Sequence, residues 1–391
     1  MLALVAAGVV LGMTLWFSAT AAAPAIAAEF ALDAAARAWL TLAVQAGFVA
    51  ATLATALTNL ADTVNARRLF ASGCVIGAIC NATIAVAPSA AAIVVLRFFT
   101  GAALAWVYPP AMKIVAGWFR ERRGTALGVI VGAVGVGSAM PHLLAWMGSG
   151  VPWRTLVLAS SGLAIAGGAV VLAGVSDGPY VSASAPFDRH ALRSVLRSRG
   201  TRLAMLGYFG HMWELYAMWT WIAAFAAASL GDATIGPLIA FVTIATGSAG
   251  CVLAGRWADT WGKARVAGLA MIVSAACGLA SPLVFGRPLF VLLPLALVWG
   301  FSVVADSAQF SALVTEYTPP TLVGTALTLQ TSAGFLLTMV SMRLVPPIAA
   351  TAGWRWAFLF LVPGPLLGAV AMRALGPASA PASAGSPSTG A

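Results

Sequence analysis

The stretch GRWADTWGKAR, residues 255–265, has a counterpart in NLADTVNARR, residues 59–68. LADT at 60–63 faces WADT at 257–260, an offset of 197. GTAL occurs at 124–127 and again at 324–327, an offset of 200, and Trp153-Arg154 recurs as Trp354-Arg355, an offset of 201. Three matches at nearly one offset mark two tandem copies of one unit. Both polar loops are embedded in long apolar runs, so the repeated unit is a set of apolar segments tied by short polar turns.

Composition says what those segments are. The chain has 391 residues, 61% hydrophobic and 8% charged. That charged share is far below the ~25% of soluble domains, which excludes a soluble globular protein. Apolar windows of about 20 residues, enough for about 30 Å of hydrocarbon, place twelve spans. They run near 2–26, 38–60, 69–87, 91–117, 124–147, 154–175, 201–229, 234–256, 264–285, 288–315, 322–348 and 353–374. The expected fold is an all-α membrane protein of twelve transmembrane helices in two pseudo-symmetric six-helix bundles, 1–175 and 201–375. A polar basic linker, 176–200, joins them, and a low-complexity tail, 376–391, reads as disordered. The first run lacks a basic leader and exceeds the ~7–15 apolar residues of a signal peptide, so it is read as a membrane helix. Cys74, Cys80, Cys251 and Cys277 lie inside apolar runs without metal-ligand spacing and read as packed thiols.

The net charge of +10 follows from topology. If both termini are cytoplasmic, fourteen Lys and Arg fall on cytoplasmic segments, four outside and three within spans. That asymmetry orients the chain and removes nucleic acid as the reason for the charge. No phosphate-binding loop is present, so the chain is not read as an ATPase.

With these residues in view, the sequence resembles the major facilitator superfamily of secondary transporters, over nearly its whole length. The family's loop signature is matched at Gly255, Asp259, Gly262, Lys263 and Arg265. The first-half copy keeps Asp62, Arg67 and Arg68 but has Asn59 and Asn65 where the family usually has glycine, which puts the tightness of that turn in doubt. Arg97 with Gly101 is similar to the family's buried arginine followed by glycine. Gly128, Gly132, Gly135 and Gly137 precede Pro141 on the fifth span, at spacings that suit close helix packing. The Gly-Pro pair that many antiporters carry on this span is absent from it. The resemblance implies alternating access, a loop latch formed by Asp62, Arg67, Arg68, Asp259, Gly262, Lys263 and Arg265, and a cavity lined by spans one, four, seven and ten.

Charged residues inside spans are costly, on the order of 2.5–3.5 kcal/mol at mid-bilayer, and therefore mark candidate sites. On span seven, Tyr208, His211, Glu214 and Met218 share one broad face. His211 and Glu214 are expected neighbours, able to load and release a proton as their surroundings alternate between wet and dry. A fixed polar pair joining the halves is the structural alternative. A His-x-x-Glu metal site lacks further ligands. On span ten, Trp299, Ser302, Asp306 and Gln309 share a face by spacing, with Asp306 a second proton site or a gate. On span four, Arg97 shares a face with Tyr108. Lys113 sits sixteen residues on, about 160° around an ideal helix, with Pro109-Pro110 able to bend the path. Lys113 is expected either to meet Asp306 and hold the cytoplasmic side shut, or to snorkel. Thr14, Ser18 and Gln45 are minor cavity donors. His142 and Arg343 read as structural or gating residues.

The function expected is proton-coupled secondary transport of a small solute, leaning to a small organic or inorganic anion attracted by Arg97. Glu214, His211 and Asp306 would carry the proton. No cofactor is implied. Partners are the solute, protons and the lipid bilayer. A monomer in the bacterial inner membrane, with both termini cytoplasmic, is expected. The alternatives are a proton antiporter exporting amphipathic or cationic compounds and, in another class, a sensor or an intramembrane enzyme built on His211 and Glu214.

Overall fold

The computed structural model describes residues 1–58, 60–121, 123–148, 150–180 and 192–375. Asn59, the Asp62 side chain, part of the expected linker and the tail 376–391 lie outside the described residues. Every extended element among the described residues is helical. Twelve helical units follow in order among the described residues. α1 is Leu2–Met13, continued after a break by 18–30. α2 is Ala34–Leu57, α3 Ala66–Val86, α4 Ala90–Trp118, α5 Arg123–Met147 and α6 Trp153–Gly174. α7 is Arg199–Leu230, α8 Gly236–Trp261, α9 Lys263–Val284, α10 Leu289–Tyr317, α11 Val323–Ala352 and α12 Trp354–Leu375. Ten of these are long and apolar enough to cross a membrane; α1, because it is broken, and α7 complete the count.

Local chemistry sets the ends. Asp33 caps α2 by accepting from Ala36 N at 2.7 Å, and Ser198 caps α7 by accepting from Thr201 N at 3.2 Å. The two loop copies turn differently. Between α8 and α9 a single residue, Gly262, makes the turn at φ +85°, a conformation that favours glycine. In the first half Asn65 stays at negative φ and caps α3, its Oδ1 accepting from Arg67 N at 3.0 Å. The missing glycine is thus replaced by a side-chain cap.

Each half is built by the same close contacts. α2 packs on α4, and α8 on α10, through glycines whose missing Cβ lets backbones meet. A Cβ on Gly101 would lie 2.0 Å from Val44 O, and one on Gly300 1.9 Å from Thr243 O. The halves meet along α5–α8 and α2–α11. Gly128 and Gly132 of α5 face the backbone of Cys251 and Ser248, and Ser248 Oγ donates to Gly132 O at 2.6 Å.

α1 is interrupted at 14–17, α4 at 105–107 and α10 at Asp306, and α12 opens on short 3-10 turns before it becomes an α-helix at Pro363. In α4 the cause is Pro109-Pro110, whose rings exclude the carbonyls one turn earlier and offer no N–H. α7 runs unbroken for 32 residues. These interruptions free backbone groups where no water is at hand, and they position the site.

Candidate functional site

Arg97 answers the break in α1. It is fully buried. Its Nε donates to Leu40 O at 3.0 Å, and its Nη1 to Leu15 O at 2.8 Å, Ser18 Oγ at 3.1 Å and Asn81 Oδ1 at 3.1 Å; Nη2 donates to Trp16 O. Asn81 passes the network on, donating to Val157 O at 3.1 Å and Ser161 Oγ at 3.0 Å. One planar fork of five N–H donors thereby ties α1, α2, α3, α4 and α6. Arg97 was expected in the substrate cavity, supplying positive charge. Its donors go instead to the carbonyls of Leu15 and Trp16 at the α1 break, to Leu40 O of α2 and to the side chains of Ser18 and Asn81. Among the described residues no carboxylate is its partner, so no described acid compensates the charge. Ser18 belongs to the same hub, and Thr14 turns away from the centre to donate to Ser160 O of α6 at 3.0 Å.

The second half holds the acids. Glu214 is buried, with Trp299 Nε1 donating to Oε1 at 2.7 Å and Ser274 Oγ donating to Oε2 at 2.8 Å. The expected neighbour His211 points elsewhere: its Nδ1 lies 2.8 Å from Asp306 Oδ1, both side chains being buried. The contact is an ion pair only when His211 is protonated, and among the described residues His211 Nε2 has no hydrogen-bond partner. The pairing read from sequence is thereby corrected. Three residues of helical spacing make His211 and Glu214 neighbours on α7, but α10 supplies a closer carboxylate at its break. Asp306 likewise faces His211 rather than the Lys113 expected; Lys113 is half-buried on the second segment of α4. Tyr208 stacks near His211 and Phe310, with centroids 6.0 and 6.2 Å away, seated over Gly334 of α11. Ser302 donates to its own helix, at Val298 O, and lines a groove toward α8 and α9 with Trp257 and Trp261. Gln309 is buried one turn after Asp306, and Tyr108 is half-buried where α4 resumes.

An aromatic seal joins the halves beside these centres. Tyr216 of α7 meets Trp16 at 5.6 Å, Phe335 at 5.3 Å and Trp219 at 5.6 Å; Phe48 of α2 meets Phe335 of α11 at 4.7 Å. Phe17 stands between Trp219 and His142, at 6.3 and 6.0 Å. Trp16 and Phe17 belong to the segment whose carbonyls Arg97 holds, so the arginine positions the seal. Within the seal, Trp16 Nε1, Trp219 Nε1 and both ring nitrogens of His142 are buried without a hydrogen-bond partner, as are both amide atoms of Gln45 and of Gln330. Unpaired buried polar atoms are rare and call for an explanation. The sequence reading named Gln45 as a donor and His142 as a structural or gating residue, and did not single out Trp16 or Gln330. Only their convergence distinguishes them from ordinary packing residues.

Of the loop residues expected to latch, Arg67 pairs with the start of the linker and Lys263 pairs within the second half. Arg67 Nε meets Asp177 Oδ1 at 3.0 Å, which holds that exposed carboxyl below its ordinary range, and Lys263 pairs with Glu316. Arg68, Asp259, Gly262 and Arg265 sit on the same face, and Asp259 is exposed. On the opposite face, Arg154 grips Glu29 through two bonds, at 2.5 and 2.8 Å, and Trp153 Nε1 adds a third at 2.8 Å. These bonds hold the Glu29 carboxyl at about 2, against an ordinary 4.5. A depressed carboxyl contributes stability that is complete above its unfolded value and lost as pH falls through the folded one. The melting difference between wild type and Glu29→Gln is therefore expected at neutral pH, and is expected to vanish between about pH 4.5 and pH 2. Because the pair is solvent-exposed, added salt is expected to shrink it.

Two helical halves, a mid-membrane break in several central helices and buried charge in each half define a membrane carrier of the secondary type. The family model for the Major Facilitator Superfamily matches residues 4–342 and 204–391. The chain belongs to that superfamily; it is a multi-pass membrane transporter of small molecules and not an enzyme. Among solved structures, the human organic anion transporter MFSD10 (TETRAN) is similar at a TM-score of 0.69 and 17% identity, covering 95% of this chain and 98% of its own. That likeness carries the fold. No curated protein sequence matches.

Proposed function

We propose that the protein couples proton movement to transport of a small solute by alternating access, with 1–175 and 201–375 as the rocking halves and 176–200 as their cytoplasmic linker. The proton sites are Glu214 and the His211–Asp306 pair. The observation that carries this reading is the setting of Glu214. Trp299 can only donate, but Ser274 can donate or accept. A charged Glu214 accepts from both; a neutral one accepts from Trp299 and donates to Ser274. Both protonation states therefore find partners, which a fixed structural acid does not need.

The solute class favoured is a small organic or inorganic anion. The guanidinium of Arg97, which no described acid compensates, gives the interior of the first half a positive potential. The unpaired Trp16 and Trp219 N–H groups are donors that suit an acceptor-rich ligand. The printed title of MFSD10, an organic anion transporter, agrees with that class but does not establish it. The second reading, proton-driven export of amphipathic cations, is favoured by the two buried carboxylates beside an aromatic wall. A topology with both termini inside fits the basic-residue asymmetry.

Reconstituted protein in vesicles loaded with a pH dye tests this. Small anions, amino acids, sugars and cationic dyes are added in turn. A solute-driven pH change is expected with an anion and is expected to disappear in Glu214→Gln. Glutamine keeps the acceptor for Trp299 and donates to Ser274, so this variant is expected to melt with the wild type. A pH change that persists in Glu214→Gln would remove Glu214 from the coupling.

A further inference from the structure

The internal repeat aligns one surface site with an altered copy of itself. On the face opposite the termini, α1 ends at Ala31 with φ +49° and α7 ends at Gly231 with φ +67°, both left-handed and 200 positions apart. Arg154 donates to Ala85 O at 2.9 Å; Arg355 donates to Phe285 O at 3.5 Å, again with acceptors 200 apart. In this frame Trp153 and Arg154 correspond to Trp354 and Arg355, and Glu29 corresponds to Ser229.

The first half fills its site with its own carboxylate. Glu29 takes two bonds from the Arg154 fork and one from the Trp153 indole. The second half keeps the arginine and the tryptophan and has lost the acid. Ser229 Oγ is occupied in accepting from Gly286 N at 2.9 Å. Arg355 retains the long bond to Phe285 O and a position 5.9 Å over the Phe285 ring. Among the described residues no carboxylate pairs with Arg355. A second cation, Arg287, stands where the first half has Ala87, and it too pairs with no described carboxylate. Together they line a cavity of about 410 Å³ with Pro282, Leu283, Phe285 and Gly286. Two exposed guanidinium groups at one open cavity, with no carboxylate among its lining residues, give it a positive potential that attracts an anion.

We propose that this cavity binds an external oxyanion, a carboxylate or phosphate group, in the place that Glu29 occupies in the first half. Arg355 supplies the bidentate fork that Arg154 supplies to Glu29, and Arg287 supplies the second charge. The oxyanion comes either free from solution or as the phosphate of an anionic lipid headgroup at the membrane rim. The site is separate from the buried centres, so it stands whether or not the protein moves protons.

Thermal melting of the purified full-length chain in neutral detergent tests it. One arm titrates acetate and inorganic phosphate against chloride at equal ionic strength. The other compares nanodiscs of phosphatidylcholine with nanodiscs containing phosphatidylglycerol. A saturable rise in Tm is expected over the chloride control in the first arm if the anion is free, or with phosphatidylglycerol alone if it is a headgroup. Arg355→Gln is expected to weaken the midpoint by about tenfold or more, and Arg287→Gln with Arg355→Gln to abolish the response. Ser229→Glu, which restores the missing carboxylate, is expected to raise Tm without ligand and to ignore added anion. Equal responses of wild type and the double variant in both arms, or an anion response of Ser229→Glu equal to that of wild type, would overturn the proposal.

Discussion

Arg97→Leu is expected to cost on the order of 3–5 kcal/mol of stability, read as a large loss of thermal stability in detergent. The leucine fills part of the volume but removes the donors of Arg97 from Leu15 O, Trp16 O, Leu40 O and Asn81 Oδ1, and the Ser18 hydroxyl can then serve only one of Leu15 O and Asn81 Oδ1. Each orphaned buried acceptor costs about 1–3 kcal/mol, and removing one partner of a buried charged network is among the few changes that exceed ordinary point-mutant effects. Arg97→Lys is expected to fall between. It restores the charge, but a point-like ammonium cannot span carbonyls on both α1 and α2. The measurement separates two roles. A residue that holds the α1 break loses stability on substitution, and the Trp16–Phe17 seal loosens with it. A residue that merely contacts solute loses transport and keeps its melting point, so an Arg97→Leu protein that melts like wild type but does not transport would sink the structural role.

Gly101→Ala is the second large effect. The added methyl would lie 2.0 Å from Val44 O and 2.6 Å from Val44 C, so α2 and α4 must separate. Overpacking of a tight core costs about 1–3 kcal/mol and occasionally more; contact against backbone, which cannot rotate aside, sets the upper end. Gly300→Ala is expected to do the same to α8 and α10, where the methyl would meet Thr243 O at 1.9 Å. Gly162→Ala provides the contrast. Nothing lies within 4 Å of its added Cβ, on an exposed part of α6. There the substitution is expected to be neutral or stabilising by about 0.4–1 kcal/mol, through reduced freedom of the unfolded chain. Melting all three variants side by side checks the geometry: if Gly101→Ala and Gly162→Ala melt alike, the α2–α4 backbone contact is not tight.

Much of this architecture is legible in the residues themselves. Apolar runs of membrane length place helices within a few residues of where they lie, because a helix alone satisfies its backbone in lipid. Offsets near 200 between GTAL, Trp-Arg and ADT announce two halves, and the same offset relates Ala31 to Gly231 and Gly101 closely to Gly300. Gly262 between Asp259 and Lys263 reads as a turn and is one. Asn65 is harder: its cap on α3 replaces a positive-φ glycine by side-chain chemistry, a substitution with no periodicity to betray it.

The candidate site was legible only as an inventory. Arg97, His211, Glu214 and Asp306 stand out because a charged residue in an apolar span is expensive, and that cost is visible in one dimension. Their partners are not. Spacing along α7 couples His211 to Glu214, yet Asp306 of α10 and Ser274 of α9 decide the pairing, across 95 and 60 positions of chain. The family resemblance sends Arg97 toward a cavity, yet carbonyls at a break in α1 claim donors of its guanidinium. By itself the sequence determined that this chain is a two-half bundle of membrane helices with buried charge in each half, because length, periodicity and solvation cost act locally. Only the tertiary structure decided which polar atom faces which, because helix breaks and interhelical packing fix distances that no spacing along one helix contains.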